Sequence, residues 1–287
     1  MAADEPPATA TPATATPVRL DVELVRRGFA RSRGQARELV VSGVVEVDGR
    51  PALKPGLAIG PTTLVRLTAE PDPWVGRAAY KLLEALRVFG ADGLAVAGRR
   101  CLDVGASTGG FTQVLLARGA THVTALDVGH GQLVPAIASD PRVSERSGVN
   151  IRDVAPGDLG EPFDLVVADL SFISLRLTLA PMLAQLRGGG DLVVLVKPQF
   201  EVGRERLART GVVTSVAERR RVLLEVIEDA LGLGLHVHGL TPSPIRGADG
   251  NREYLLWVST REARRPWGGR PTLAALVQDV VDRKEQG

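Results

Sequence analysis

Residues 99–128 read RRCLDVGASTGGFTQVLLARGATHVTALDV, and this stretch decides the fold. RRCLDVG is a short apolar run closed by glycine, the pattern of a strand covered on both faces. GGFTQVLLARG follows as a helix and THVTALDVG as a second strand. Parallel strands need a crossover of this kind, so the stretch is one unit of a doubly wound sheet. The alternation extends outward in both directions. RAAYKLLEALRVF (77–89) is a helix, LVPAIAS (133–139) a short one, FDLVVADLS (163–171) a strand, and LRLTLAPMLAQL (175–186) a helix. DLVVLVKP (191–198) is a strand, AERRRVLLEVIEDALGLG (217–234) the longest helix, HVHGL and REYLLWVS strands, and 272–283 a closing helix. The expected class is α/β, a doubly wound Rossmann-like sheet.

Ligands of such sheets bind beyond the carboxyl ends of the strands, where Asp103–Gly110 opens a helix. Glycines there let a ligand approach the backbone. The spacing is not GxGxxG and lacks the GK[ST] of a phosphate loop, which counts against a nicotinamide-dependent oxidoreductase. S-adenosylmethionine carries no phosphate, and its amino-acid end is zwitterionic. Asp103 and the loop through Gly105, Ser107, Thr108, Gly109, Gly110 and Phe111 suit it. Asp127 can accept its ribose hydroxyls, and Asn150 its adenine. Lysine is scarce, with Lys54, Lys81, Lys197 and Lys284 against 31 Arg. Arg effectively never loses its proton, whereas Lys can. Asp169, Lys197 and Glu253, at strand termini or the sheet edge, make a Lys-Asp-Lys-Glu set with Lys81 of the helix at 77–89.

The opening MAADEPPATATPATATP (1–17) has no basic start and no apolar run, so it reads as a disordered tail and not as a secretory signal. No stretch approaches the ~18 apolar residues of a membrane span. One cysteine, Cys101, excludes an intramolecular disulfide framework and fits a cytoplasmic protein. Residues 18–66 hold nine Lys/Arg against five acids, while 67–287 sum to zero. Such a local excess fits either a polyanion partner or a solvated basic surface. Residues 18–67 read as a small α+β module. A helix carries Leu20, Leu24 and Val25 and stops at Gly28; Ser32 caps a second ending at Gly43. A hairpin follows through Asp48-Gly49 with LVRL returning. A Pro-broken linker spans 68–76, and the catalytic domain runs over 77–287.

Arg19-Leu20-Asp21, Ser32-Arg33, Ala36 and Gly43-Val44-Val45-x-Val47-Asp48-Gly49 resemble the alpha-L RNA-binding domain of ribosomal protein S-four. DVGASTGGFT (103–112), ALDVGHGQL (125–133), DLSFISL (169–175), VKPQFE (196–201) and GNREYL (250–255) are similar to TlyA-type proteins. These join an alpha-L domain to an FtsJ-like 2′-O-ribose methyltransferase domain. The resemblance implies methyl transfer from S-adenosyl-L-methionine to a ribose hydroxyl, of cytidine, in ribosomal RNA. Ribosomal subunits are then the partner, with no metal and no membrane. Lys81, Asp169, Lys197 and Glu253 become the catalytic set, with Lys197 as base and Asp169 orienting it. Arg19, Arg26, Arg31, Arg33 and Arg37 become RNA contacts. The chain departs from the family at Gly76-Arg77-Ala78-Ala79, where Ser-Arg-Gly-Gly is usual, and alanines favour helix. A haemolysin, an activity for which such proteins are named, and a non-catalytic ribosome-assembly protein are the competing readings.

Smaller signals read as structure. His236 and His238 alternate on a strand and face one side, without a third metal ligand. Cys101 belongs to the core, and Arg219-Arg220-Arg221 to a solvated helix face. Phe172 and Phe200 flank the four-residue set, as packing or as a platform for a flipped base. Only 4% of the chain is aromatic, so an extended stacking surface is not expected.

Overall fold

A computed structural model describes residues 17–283 apart from Arg31, Pro71, Ala248, 264–266 and 268–270. The tail expected over 1–17 therefore lies outside the described residues except for Pro17, as does Arg31. The chain divides into two compact units between Pro73 and Trp74.

The first unit runs β1 (Val18–Arg19), α1 (Leu20–Arg26), α2 (Arg33–Val41), β2 (Val45–Val47), β3 (Arg50–Pro51), β4 (Ala58–Ile59) and β5 (Val65–Leu67). Ser32 caps α2, its Oγ accepting the Gln35 N–H at 3.2 Å. Asp48 (φ 48°) and Gly49 (φ 77°) form the left-handed turn that tight hairpins require. β5 returns antiparallel to β2, as LVRL implies. Pairing of β1 with β4 is not legible in the sequence, because two-residue strands have no period. Leu20, Leu24, Ala36, Val40 and Val45 are wholly buried, so α1 and α2 pack their apolar stripes on the hairpin.

The second unit contains α3 (Ala78–Phe89), β6 (Arg100–Val104), α4 (Gly110–Ala117), β7 (His122–Asp127), α5 (Pro135–Ala138), β8 (Val143–Ser147) and β9 (Phe163–Ala168). It continues with α6 (Leu179–Leu183), β10 (Leu186–Val196), α7 (Pro198–Glu201), α8 (Val216–Gly232), β11 (His236–Pro242), β12 (Tyr254–Ser259) and α9 (Leu273–Asp282). Seven strands form one sheet in the order β11-β12-β10-β9-β6-β7-β8. β12 is antiparallel to both neighbours, and the other pairs are parallel. One face packs α3 and α4 through Phe89, Phe111 and Val114. The opposite face packs α6, α8 and α9 through Met182, Val222, Ile227 and Val280. Burial on both faces explains the unbroken apolar runs of β9 and β10.

Several expectations are corrected. LRLTLAPMLAQL is not one helix but a 3-10 turn (Leu175–Leu177) followed by α6. Pro181 has no N–H and its ring excludes a helical carbonyl four residues earlier. β8, too polar to show as a strand, edges the sheet. His236 and His238 differ in burial, and the register shifts by one residue between Val237 and Gly239. His236 is exposed, while buried His238 stacks on Trp257 at 4.5 Å. Arg219 is buried, not solvated, and donates to the Val213 and Thr214 carbonyls at 3.0 and 2.7 Å. Cys101 is core, and burial pushes its thiol up to about 12.

Candidate active site

From β6 the chain winds toward β7 and β8 on one side and toward β9 and β10 on the other. The point where strand order reverses is where these sheets leave a crevice. The glycine loop leaves β6 here, against Asp169 at the end of β9. Gly105 (φ 84°) approaches so closely that a Cβ would lie 2.9 Å from the Asp169 carbonyl oxygen. At Gly109 (φ 98°) a Cβ would meet Leu133 at 2.8 Å and Ile137 at 2.9 Å. Both positions require glycine.

Asp127, at the end of β7, is held by the loop it faces. Its carboxylate accepts the Ser107 N–H at 2.8 Å and the Gly129 N–H at 2.7 Å. With Asn150 and Gln132 it lines a cavity of about 480 Å³. Asn150 also caps the following turn, accepting the Arg152 N–H at 3.1 Å. Asp103 sits elsewhere. It lies wholly buried beneath the loop, outside the walls of that cavity, and accepts the Thr112 hydroxyl at 2.7 Å. Its other oxygen, Oδ1, has no partner. Burial pushes this carboxyl up to about 7, against the hydrogen bonds from Thr112.

A second cavity, about 590 Å³, shares Gly105, Ser107, Asp169 and Phe172 with the first. Ser107, Thr108, Gly110 and Phe111 line it from the loop, and the four expected residues meet in it. Asp169 bridges two ammonium groups, with Lys197 Nζ 2.6 Å from Oδ1 and Lys81 Nζ 3.2 Å from Oδ2. Lys81 also pairs with Glu253 at 2.8 Å. Both lysines and Glu253 are buried, so neither lysine is the exposed surface residue that its helix or strand-end position alone would allow. Burial pulls the Lys81 ammonium down, but Asp169 and Glu253 outweigh it and hold the pKa above the ordinary lysine value. Ala78 and Ala79 start α3, as alanines should, and Gly110 passes so close that a Cβ would lie 3.1 Å from the Ala79 nitrogen.

Two participants escaped the sequence reading. Lys197 donates to Ser171 Oγ at 2.8 Å. Glu201 accepts the Ser174 hydroxyl at 2.5 Å and the Leu175 N–H at 2.7 Å, tying the 170–175 loop to α7. The signal available was position alone, inside DLSFISL and VKPQFE. Between them, Phe172 (φ 64°) is 92% exposed and meets Phe200 at 5.2 Å. A bulky residue held left-handed is strained, and here it is an exposed ring that lines both cavities.

In the first unit, Arg19, Arg33 and Arg37 converge on buried Asp21 at 3.0, 3.4 and 3.3 Å. The hydrogen bond from Arg19 leads in holding that carboxyl far below the usual range, against its burial. Arg26 and Arg27 converge likewise on Glu23, at 2.5 and 2.7 Å.

Known proteins are similar to this chain in sequence and fold. A sequence profile for FtsJ-like methyltransferases matches residues 74–260, and one for the S4 domain matches 18–65. This chain belongs to the FtsJ-like methyltransferase family. The FtsJ-like unit holds the cavities and the S4 domain the basic excess. The chain is 50% identical over 247 residues to the Mycobacterium tuberculosis protein named 16S/23S rRNA (cytidine-2′-O)-methyltransferase TlyA, covering 86% of this chain and 91% of that one. It is 35% identical to Hemolysin A of Brachyspira hyodysenteriae, covering 83% and 98%. A solved structure from Streptococcus thermophilus, described as a candidate hemolysin, has TM-score 0.70 and 36% identity and covers 93% and 94%. Among the described residues no helix is long and apolar enough to cross a membrane.

Proposed function

We propose that this chain transfers a methyl group from S-adenosylmethionine to the 2′-hydroxyl of a cytidine ribose in ribosomal RNA, in the cytoplasm. One observation carries the reading: a cavity of about 480 Å³ edged by Asp127 shares its wall at Gly105 and Asp169 with a cavity lined by two lysines and two acids. The names of the relatives support the acceptor and the RNA. Residues 18–67 act as the RNA-binding module, joined through 68–76 to the catalytic domain.

The residues present fit the cofactor. Gly105 and Gly109 leave a cradle that a Cβ would fill, and Ser107, Thr108 and Gly110 line the adjoining wall. Asp127 keeps lone pairs for ribose hydroxyls, with Asn150 on the same wall. When bound, the cofactor supplies an electrophilic methyl group. The protein must then align the hydroxyl and take its proton. Lys197 is placed to do so, its Nζ fixed by Asp169 and Ser171. Lys81 stays an ammonium between Asp169 and Glu253 and shares the charge of Asp169, so that carboxylate does not answer to Lys197 alone. Phe172 offers its face to the base of the target nucleotide.

The test is incubation with labelled S-adenosylmethionine and ribosomal subunits, followed by mapping of 2′-O-methyl sites. Transfer to neither subunit nor naked rRNA overturns the reading. Lys197→Ala should abolish transfer and leave cofactor affinity near wild type; loss of cofactor binding instead makes Lys197 structural.

A further inference from the structure

A third cavity, about 680 Å³, lies beside the catalytic one and shares Glu253 with it. Its walls come from three separate segments: the outer face of α3, the turn from β11 to β12, and the end of α9. These bring together Arg87, Arg246, Arg252 and Arg283, against the acids Glu84 and Glu253. Glu253 is already paired with Lys81. Residues 67–287 have no net charge, so this concentration of arginine is local and not a share of a general excess.

The groove is also in the right place. Tyr254 pairs with Val196 in β10 and with Pro242 in β11, so the groove opens at the same end of the sheet as Asp169 and Lys197. Its positive groups are held. Arg87 is fixed by both oxygens of Glu84 at 2.7 Å yet remains 70% exposed. Arg246 donates to the Gly250 carbonyl at 3.0 Å, and Arg77 donates to the Arg246 carbonyl at 3.3 Å. Arg283 pairs with Asp279 at 3.2 Å. Pro242, Pro244 and Ile245 give the groove an apolar wall.

We infer that this groove seats the RNA strand adjoining the methylated nucleotide, its arginines meeting the phosphates. The inference rests on the RNA-methyltransferase reading above. A ribose at the four-residue site needs its neighbouring phosphates fixed if the hydroxyl is to be aligned, and guanidinium groups bind phosphate bidentately. A strand leaving that site past Glu253 meets Arg252 next.

The test compares full-length Arg87→Gln/Arg283→Gln with Arg118→Gln/Arg187→Gln, which removes equal charge at the other end of the sheet. Binding of a labelled rRNA fragment is measured against salt, with cofactor affinity as the check on folding. The groove variant should bind RNA about tenfold more weakly, with the salt slope reduced by about one to two, and hold cofactor normally. The other pair should bind like wild type. Equal effects from both pairs, or an unchanged slope, overturn the inference. So does a larger loss for polyglutamate than for RNA, which points to an acidic protein partner. If RNA binding depends on the groove while wild type transfers no methyl, the groove stands and the enzymatic reading falls.

Discussion

Gly105→Ala separates two costs that usually arrive together. At φ 84° any residue with a Cβ pays a conformational penalty of ~1–2 kcal/mol. In addition, the new Cβ falls 2.9 Å from the Asp169 carbonyl oxygen and 3.2 Å from Leu170 Cδ2. Leu170 can rotate, but a backbone carbonyl can yield only by moving β9, an overpacking cost of ~1–3 kcal/mol. The total, ~2–5 kcal/mol, lowers Tm by roughly 5–15 °C for a unit of this size. Gly157→Ala is the reference. Its φ is 91° and a Cβ there has nothing within 4 Å, so only the conformational part remains. Thermal unfolding of the three chains measures both parts, and cofactor binding should fail in Gly105→Ala alone. Equal Tm losses in the two variants, with cofactor binding retained, would refute the close-approach argument.

Three further outcomes follow from the geometry. Burial pushes the Asp103 carboxyl from its ordinary 3.8 up to about 7, so the folded state holds the proton more tightly and this group's effect on stability worsens between about pH 4 and 7. Asp103→Asn should therefore gain in Tm relative to wild type on going from pH 5 to 8; a flat difference refutes the burial argument. Glu201→Ala frees Ser174 and the Leu175 N–H, and should cut kcat at least tenfold with cofactor affinity unchanged. Glu201→Gln, which can still bond both, should recover most of that rate, and equal rates in the two variants count against the tie. Asp21→Asn strands three half-exposed arginines and should cost the S4 domain about 1–3 kcal/mol in urea unfolding, with rRNA affinity reduced.

Where sequence reading succeeded, period or backbone need left a mark on residue type. Gly105 and Gly109 are visible because only glycine fits, and Lys81 and Lys197 because lysine is rare in a chain that otherwise uses Arg. The four-residue set was legible through family motifs more than through spacing, since its members lie on four separate elements. What escaped had no local signature. His238 is buried where His236 is exposed, because its ring lies against Trp257. Arg219 is buried because its guanidinium finds two carbonyls, and helix periodicity cannot foresee that. Asp103 looked like a ligand in sequence, but its place beneath the loop depends on Thr112 turning back from α4. Asp21 and Glu23, which the sequence shows only as part of the charge balance, are buried anchors.

The anchor at Asp21 has one more consequence. An arginine in solution carries about 2 kcal/mol of rotamer freedom that it must surrender to any partner. Arg19, Arg33 and Arg37 have already given up much of theirs to one carboxylate during folding. For a phosphate-bearing partner the entropic charge of docking is therefore small, and adaptability is small as well. Three guanidinium groups spread from a single fixed point act as a template. If the RNA contacts proposed above are made by these arginines, they would favour a folded backbone that already presents phosphates at matching spacing, and shape would be read before any base.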